Sequence, residues 1–186
     1  MIHSVNTYFT SEECSEIIDY CMKNGEMFSY DPKENWDCRR IYFNDFKESI
    51  IDKFKALYNS NQTNYWFDFN DFNINYVNIS LTRYYDGRFL NLHKDVTSQF
   101  TTVIVLTENF NDGRFVLSER AGKNIKDMVD DSLKLDLSIG QGISFDGSKI
   151  YHGVMPVYEG IRCALNVWMS DEVPKTTYLK NKKTLL

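Results

Sequence analysis

The chain has 186 residues, a formal net charge of −5 and a sequence pI of about 5.2. This length suits one globular domain with a sizeable core, predicted to span residues 1–186. The acidic balance disfavours a general binder of nucleic acids or anionic membranes, so neither is expected as a partner. No apolar run approaches the ~20 residues that a membrane-spanning helix needs.

The cysteine content indicates the redox environment. The four cysteines have neither Cys-X-X-Cys spacing nor the density of a disulfide scaffold. The amino terminus lacks the charged-then-apolar run of a signal peptide. We therefore predict a reduced, cytoplasmic protein, with these residues as free thiols: Cys14, Cys21, Cys38 and Cys163.

Two helices are predicted in the first third of the chain. The first follows Thr10-Ser11-Glu12-Glu13, where a hydroxyl cap and early acids mark a helix start, and it ends at Asn24-Gly25. The second is predicted over residues 45–59, with an apolar stripe that would pack on a sheet. Helical spacing places these residues in the core: Cys14, Ile17, Ile18 and Cys21 from the first helix, and Phe46, Ile50, Ile51, Phe54, Leu57 and Tyr58 from the second.

Between the helices, residues 36–43 are predicted to form a strand. Its Arg39-Arg40 pair either lies on a solvated sheet edge or faces a substrate, and we favour the edge. From residue 65 onward, short runs rich in β-branched and aromatic residues alternate with glycine-containing turns. These runs predict strands at residues 65–69, 74–85, 100–107, 114–117, 133–137, 142–145, 150–155 and 161–169.

Many short strands in one domain, preceded by two helices, favour a two-sheet jelly roll over a βαβ fold. The polar stretch 118–132 is long for a hairpin loop, so it is a candidate lid or substrate loop.

A metal site is predicted from histidine and aspartate spacing. In an extended chain, side chains alternate between faces, so His93 and Asp95 can point at one ion. His152 precedes Pro156, Gly160 and Arg162 in a segment predicted to form two strands joined by a turn. Two histidines and one carboxylate are the facial triad of non-haem Fe(II) oxygenases. His3, the remaining histidine, is interpreted as structural or exposed.

Four segments carry a family resemblance. RYYDGRF at 83–89, His93-Lys94-Asp95, the strand at 113–117 and HGVMPVYEGIRCALNVW from His152 resemble the 2-oxoglutarate and Fe(II)-dependent dioxygenases, in their prolyl 4-hydroxylase-like branch. The resemblance implies a double-stranded β-helix core over about 65–170, with helical support from about 10–60 packed on one sheet. Asp112-Gly113-Arg114 departs from the family's common Gly-Gly-Glu, which bears on the substrate-side surface.

The resemblance also implies roles for individual residues. His93, Asp95 and His152 would bind Fe(II), and Arg162 would pair with the distal carboxylate of 2-oxoglutarate, since a guanidinium offers two parallel charge-assisted hydrogen bonds. Tyr84 matches the position of a phenol that donates to the same carboxylate; the alternative is an ordinary half-buried strand tyrosine. Strand alternation puts two further residues on the face of Arg162, where they would line the iron end of the cofactor site: Asn166 and Trp168.

The implied activity couples oxidative decarboxylation of 2-oxoglutarate, with O₂, to hydroxylation of an unactivated C–H bond. Among substrates, a prolyl residue of a peptide or protein comes first. The alternatives are hydroxylation of a free amino acid or other small molecule, or a jelly-roll binding module without turnover.

Overall fold

The computed structural model describes residues 5–31, 36–42, 47–59, 76–96, 100–121, 124–125 and 132–170. These residues form twelve strands and two helices. In chain order they are β1 (Asn6–Thr7), α1 (Ser11–Asn24), β2 (Glu26–Asp31), β3 (Trp36–Tyr42), α2 (Glu48–Asn59), β4 (Tyr76–Tyr85), β5 (Leu90–His93), β6 (Phe100–Val105), β7 (Phe110–Asp112), β8 (Phe115–Ser118), β9 (Leu133–Leu135), β10 (Gln141–Phe145), β11 (Tyr151–Val154) and β12 (Val157–Ser170). The strand predicted at 65–69 lies outside the described residues.

Two antiparallel sheets form the predicted jelly roll. The major sheet has the order β1-β10-β6-β12-β4-β3-β2, with β7 added beside the start of β12, and the minor sheet has the order β5-β11-β8-β9. The inner faces of both sheets pack together because alternate strand residues are apolar. Their buried core contains Tyr84, Val103, Val105, Phe115, Leu117, Leu137, Ile143, Phe145, Val154, Val157 and Ala164.

The central strand β12 is longer than the sequence predicts. Its first residues pair with β7, and the remainder lies between β4 and β6. Gly160 is therefore not part of a turn but of an irregularity within the strand, where the pairing with β7 shifts register. Its φ is +102°, and an added Cβ would collide with the carbonyl of Asn109, so glycine is required there.

The helices pack on the outer face of the major sheet, as predicted. Thr10 and Glu13 form a reciprocal capping box at the start of α1. Lys47 and Lys53 from the second helical region pair with Glu16 and Glu13 of α1. The predicted apolar face of α1 is confirmed, because it is buried against the sheet. Ile50 of α2 is buried in the same cluster. This outer core, on the helix-covered side of the major sheet, contains Tyr8, Phe9, Cys14, Ile17, Cys21, Ile50, Ile79, Leu81, Ile104, Leu106, Cys163, Leu165 and Val167.

The favoured edge position of Arg39 is wrong. β3 lies between β2 and β4, because the unpredicted strand β2 covers it. The Arg39 guanidinium donates from Nη1 to the carbonyls of Met22 and Gly25 at 3.4 and 3.3 Å. These carbonyls lie at the end of α1, where a helix leaves acceptors without helical partners. Arg39 therefore ties β3 to the end of the helix.

The described part of the 118–132 loop lies behind the minor sheet. Ile125 is buried, and its N–H donates to Oδ1 of Asn91 on β5 at 3.2 Å. A Cβ added to Gly153 would lie 2.7 Å from Cδ1 of Ile125. Gly153 follows the inward-facing His152, so Ile125 packs on the outer face of β11. Residues 122–123 and 126–131 lie outside the described residues.

All four cysteines are free and buried, and the burial predicted for Cys14 and Cys21 is thereby confirmed. Burial raises the pKa of Cys14 to about 11 and that of Cys21 to about 12, so little reactive thiolate exists at neutral pH.

We expect thiol reagents to label both Cys14 and Cys21 slowly in the native protein and rapidly after denaturation. Timed labelling with peptide mass mapping measures this, and rapid labelling of both in the native state would contradict their placement.

No helix among the described residues is long and apolar enough to cross a membrane.

Candidate active site

Three ligand-type side chains meet where β5 and β11 pair. His93, the last residue of β5, is directly opposite His152 on β11, and Asp95 follows two residues later. Nε2 of His93 lies 3.8 Å from Oδ1 of Asp95, and Nε2 of His152 lies 3.6 Å from Oδ2. One potential ligand atom from each residue lies within 4.8 Å of the others. This arrangement can hold one metal ion.

Backbone carbonyls orient both imidazoles. Nδ1 of His93 lies 3.0 Å from the carbonyl oxygen of Asn91, and Nδ1 of His152 lies 3.1 Å from that of Ile150. A carbonyl oxygen only accepts, so each Nδ1 carries the proton and each Nε2 keeps its lone pair. Burial, and then the neighbouring His152, lower the pKa of His93, which favours the neutral ring that a metal requires.

The carboxylate of Asp95 is held in its ionised form. Burial raises its pKa, but contacts with His152 and Thr101 outweigh this effect and leave the pKa below its usual value. Oγ1 of Thr101 donates to Oδ2 of Asp95 at 2.6 Å, and the Asp95 N–H donates to the carbonyl of Gly147 at 2.9 Å. The site therefore combines two imidazoles with one carboxylate.

One side of the triad is apolar and closed, and the other is open. Phe145 contacts His152 edge-on with 4.8 Å between ring centroids, and Phe115 lies 6.2 Å from the same ring. The side chain of His152 is 5% exposed and that of His93 is 39% exposed. Val96, directly after Asp95, is 93% exposed. Access from solvent is thus on the side of His93.

Arg162 is a buried cation inside the barrel. It is 1% exposed, and its Nη1 has no hydrogen-bond partner. Burial lowers its pKa to about 10, and no carboxylate among the described residues forms an ion pair with it. An uncompensated buried charge is unfavourable, so the arrangement fits an anionic ligand that enters the barrel.

Glycine at position 113 makes room for this arginine. Gly113 has φ +68°, and an added Cβ would lie 3.0 Å from Cδ of Arg162 and 2.7 Å from Cγ2 of Val157. The neighbouring side chains of Asp112 and Arg114 form an ion pair at 2.9 Å, with 41% of the Arg114 side chain exposed. The departure from Gly-Gly-Glu therefore lies beside the buried arginine.

Tyr84 is the cross-strand neighbour of Arg162. The two residues are paired between β4 and β12, and Cζ of Arg162 lies 5.8 Å from the Tyr84 ring centroid. Tyr84 is buried in the barrel core. Its position beside the guanidinium is the one that the sequence predicts.

Asn166 and Trp168 follow Arg162 along β12. Nδ2 of Asn166 donates to Oγ1 of Thr82 on the adjacent strand at 3.0 Å. Trp168 pairs in register with Thr101, whose hydroxyl contacts Asp95. Trp168 is thus at the triad end of the strand, whereas Asn166 lies between that end and Arg162.

Three positions of the site were not predicted from the sequence. Gly113 and Gly147 stand in glycine-containing turns, which the sequence marks only as turns. Thr101 gives no sequence signal, because its contact with Asp95 depends on how β6 lies relative to the segment after β5.

A family model described as 2OG-Fe(II) oxygenase superfamily matches residues 79–170. The matched segment contains the triad, Tyr84 and Arg162. The chain belongs to this superfamily. The predicted enzyme class and cofactors are thereby confirmed: this oxygenase is an Fe(II)-dependent dioxygenase that uses 2-oxoglutarate and O₂. The donor set of the triad and the unpaired arginine fit these groups.

Solved structures share the fold of this oxygenase. A prolyl-4-hydroxylase from Pseudomonas putida is 14% identical and has a TM-score of 0.64. The match covers 92% of this chain and 94% of that protein's chain. A prolyl hydroxylase from Trichoplax adhaerens, solved with a hypoxia inducible factor peptide fragment, is 14% identical and has a TM-score of 0.62. The match covers 90% of this chain and 83% of that protein's chain.

A viral collagen prolyl hydroxylase from Paramecium Bursaria Chlorella virus-1, solved with 2-oxoglutarate, is 17% identical with a TM-score of 0.58, covering 90% of this chain and 94% of its own. At these identities the likeness shows the fold alone. No curated protein sequence matches the chain significantly.

Proposed function

We propose that His93, Asp95 and His152 hold Fe(II), and that Arg162 binds the distal carboxylate of 2-oxoglutarate. The observation that carries this proposal is a buried guanidinium without an acidic partner among the described residues, in the barrel that also presents the triad. When bound, Fe(II) supplies the oxidising chemistry in which O₂ gives one oxygen atom to succinate, with release of CO₂, and the other to a substrate C–H bond.

The protein residues position the reactants. The two Nε2 atoms and the Asp95 carboxylate would hold the ion, and cosubstrate and O₂ would take the coordination positions that these three ligands leave open. Arg162 fixes the far end of 2-oxoglutarate through charge-assisted hydrogen bonds, with Tyr84 as a second donor. Phe145 closes the apolar side of the site, which limits water access and side reactions.

We assign Asn166 and Trp168 to the wall of the cosubstrate cavity. Both share a strand face with Arg162, and Asn166 is nearly buried. Asn166 offers polar atoms inside the barrel, and Trp168 contributes an indole at the triad end. These residues would shape the space between the distal carboxylate and the iron.

We propose that the reaction is hydroxylation of a prolyl residue in a peptide or protein. Two lines support this assignment. Prolyl hydroxylases from a bacterium, an animal and a virus share the fold over most of the chain. The triad opens to solvent beside the partly exposed His93 and the exposed Val96, so an extended chain can reach it.

The substrate assignment is tested by coupled product measurements. Fe(II)-loaded protein is incubated with 2-oxoglutarate and O₂ in the presence of proline-containing peptides, matched peptides with alanine in place of proline, or free amino acids. We expect succinate above the peptide-free rate, together with addition of one oxygen atom to the peptide, only with proline present. Hydroxylation of a free amino acid, with no peptide product, would contradict the peptide assignment and support the small-molecule alternative.

A further inference from the structure

The carboxylate of Asp95 is held by residues outside the triad. Thr101, on β6 of the major sheet, donates its hydroxyl to Oδ2 at 2.6 Å. Gly147, in the connection between β10 and β11, accepts the Asp95 N–H on its carbonyl at 2.9 Å. A Cβ added to Gly147 would collide with both Oδ2 of Asp95 and Oγ1 of Thr101. The three residues therefore form one closely packed contact.

The turn that contains Gly147 is well fixed. Asp146 accepts from the N–H and the hydroxyl of Ser148 at 3.1 and 2.6 Å, and it pairs with Lys149 at 2.7 Å. The Ile150 N–H donates to the carbonyl of Asp146 at 3.0 Å. The Ile150 carbonyl in turn orients His152. One turn thus supports both the Asp95 backbone and the His152 ring, whereas Thr101 contacts the Asp95 carboxylate from the opposite sheet.

We propose that Thr101 is a positioning residue that engages one oxygen of Asp95 and leaves the other for the metal. The inference rests on the proposed function, in which Asp95 is an Fe(II) ligand. Oδ2 accepts the Thr101 hydroxyl at 2.6 Å and lies 3.6 Å from Nε2 of His152, whereas Oδ1 lies 3.8 Å from Nε2 of His93 and is the oxygen that the hydroxyl leaves for the metal. A carboxylate free to bind through both oxygens would occupy a further position of the ion, one that the cosubstrate or O₂ requires.

Thr101 can be tested against its neighbour on the same strand. Thr102 is also a buried threonine, but its hydroxyl pairs with Oγ of Ser144 at 2.8 Å on the outer face of the sheet. Thr101→Val and Thr102→Val each remove one buried hydroxyl and preserve the shape of the side chain. Thr101→Ser keeps the hydroxyl and serves as the rescue variant.

The measurement is Co(II) affinity by anaerobic calorimetry, together with the visible absorption of the Co(II)-loaded protein and the melting temperature of each variant. Supporting residues around metal ligands typically contribute about 10–100-fold in affinity, so we expect a loss of that size in Thr101→Val, with a changed Co(II) spectrum. Thr101→Ser and Thr102→Val should keep wild-type affinity and spectrum, even if Thr102→Val melts earlier.

The outcomes separate this inference from the proposed function. Failure of the wild type to bind Co(II) would overturn the metal site itself. Wild-type affinity and spectrum in Thr101→Val, or equal losses in Thr101→Val and Thr102→Val, would overturn the role of Thr101 alone. If Thr101→Val does not fold, Thr101→Ala is compared with Thr102→Ala. Alanine removes the hydroxyl without placing a methyl group in its position.

Discussion

Alanine at position 93, 95 or 152 is expected to abolish Fe(II) binding and turnover while the domain stays folded. Each of the variants His93→Ala, Asp95→Ala and His152→Ala removes one of three ligands, and within the described part of the chain no other group of histidine, cysteine or acidic side chains is arranged to replace it. A site with an open side depends on every protein ligand that remains. Anaerobic Fe(II) titration, succinate production and circular dichroism measure the three properties.

Two control variants make the same types of substitution at residues that are not predicted ligands. His3→Ala removes the remaining histidine of the sequence, and Asp136→Ala removes an exposed carboxylate. Both should bind Fe(II) as the wild type does. Full activity in any purified triad variant would refute the ligand assignment.

Replacing Arg162 by methionine is expected to weaken 2-oxoglutarate binding with little effect on Fe(II) binding. Arg162→Met keeps much of the side-chain volume but removes the guanidinium. Loss of one partner of a buried ion pair typically costs ~3–5 kcal/mol, because the other charge stays uncompensated. At 1.4 kcal/mol per factor of ten, the dissociation constant should rise on the order of 10²–10³-fold.

Anaerobic calorimetric titration of 2-oxoglutarate into metal-loaded protein measures this difference. The matched control is Arg114→Met, because Arg114 is an exposed arginine that pairs with Asp112 on the surface. The wild type and the control should also gain thermal stability with 2-oxoglutarate, and this gain should shrink in Arg162→Met. Similar affinities in the wild type and Arg162→Met would exclude the carboxylate clamp and favour a binding module of another kind.

Local sequence signals were sufficient for much of the fold. The Thr10-Glu13 capping box and the spacing of Cys14, Ile17 and Cys21 define α1 and its buried face. The family resemblance predicted a role for Arg162 inside the barrel, where it is buried, and strand alternation predicted that Asn166 and Trp168 share its face. Successive side chains of any strand point to opposite faces, so which residues share a face can be predicted without knowing the partner strand.

Features that depend on pairing between separate segments could not be predicted in the same way. The strand β2 has mixed polarity, and it forms because β3 supplies its hydrogen-bond partners. The strand β12 continues through Gly160, which resembles a turn residue, because β7 pairs with its first residues. Thr101 meets Asp95 only once both sheets are assembled. In each case the deciding partner is another segment of the chain, and the propensity of one segment alone carries no information about its partner.

The buried guanidinium of Arg162, which has no acidic partner among the described residues, also bears on the stability of the ligand-free domain. A buried charge that no described carboxylate balances lowers the free energy of unfolding of the ligand-free domain. If 2-oxoglutarate binds there as proposed, it stabilises the folded state in proportion to the logarithm of its concentration above its dissociation constant. Proteases act on unfolded chains, so the cellular lifetime of the enzyme would rise and fall with the supply of its own cosubstrate.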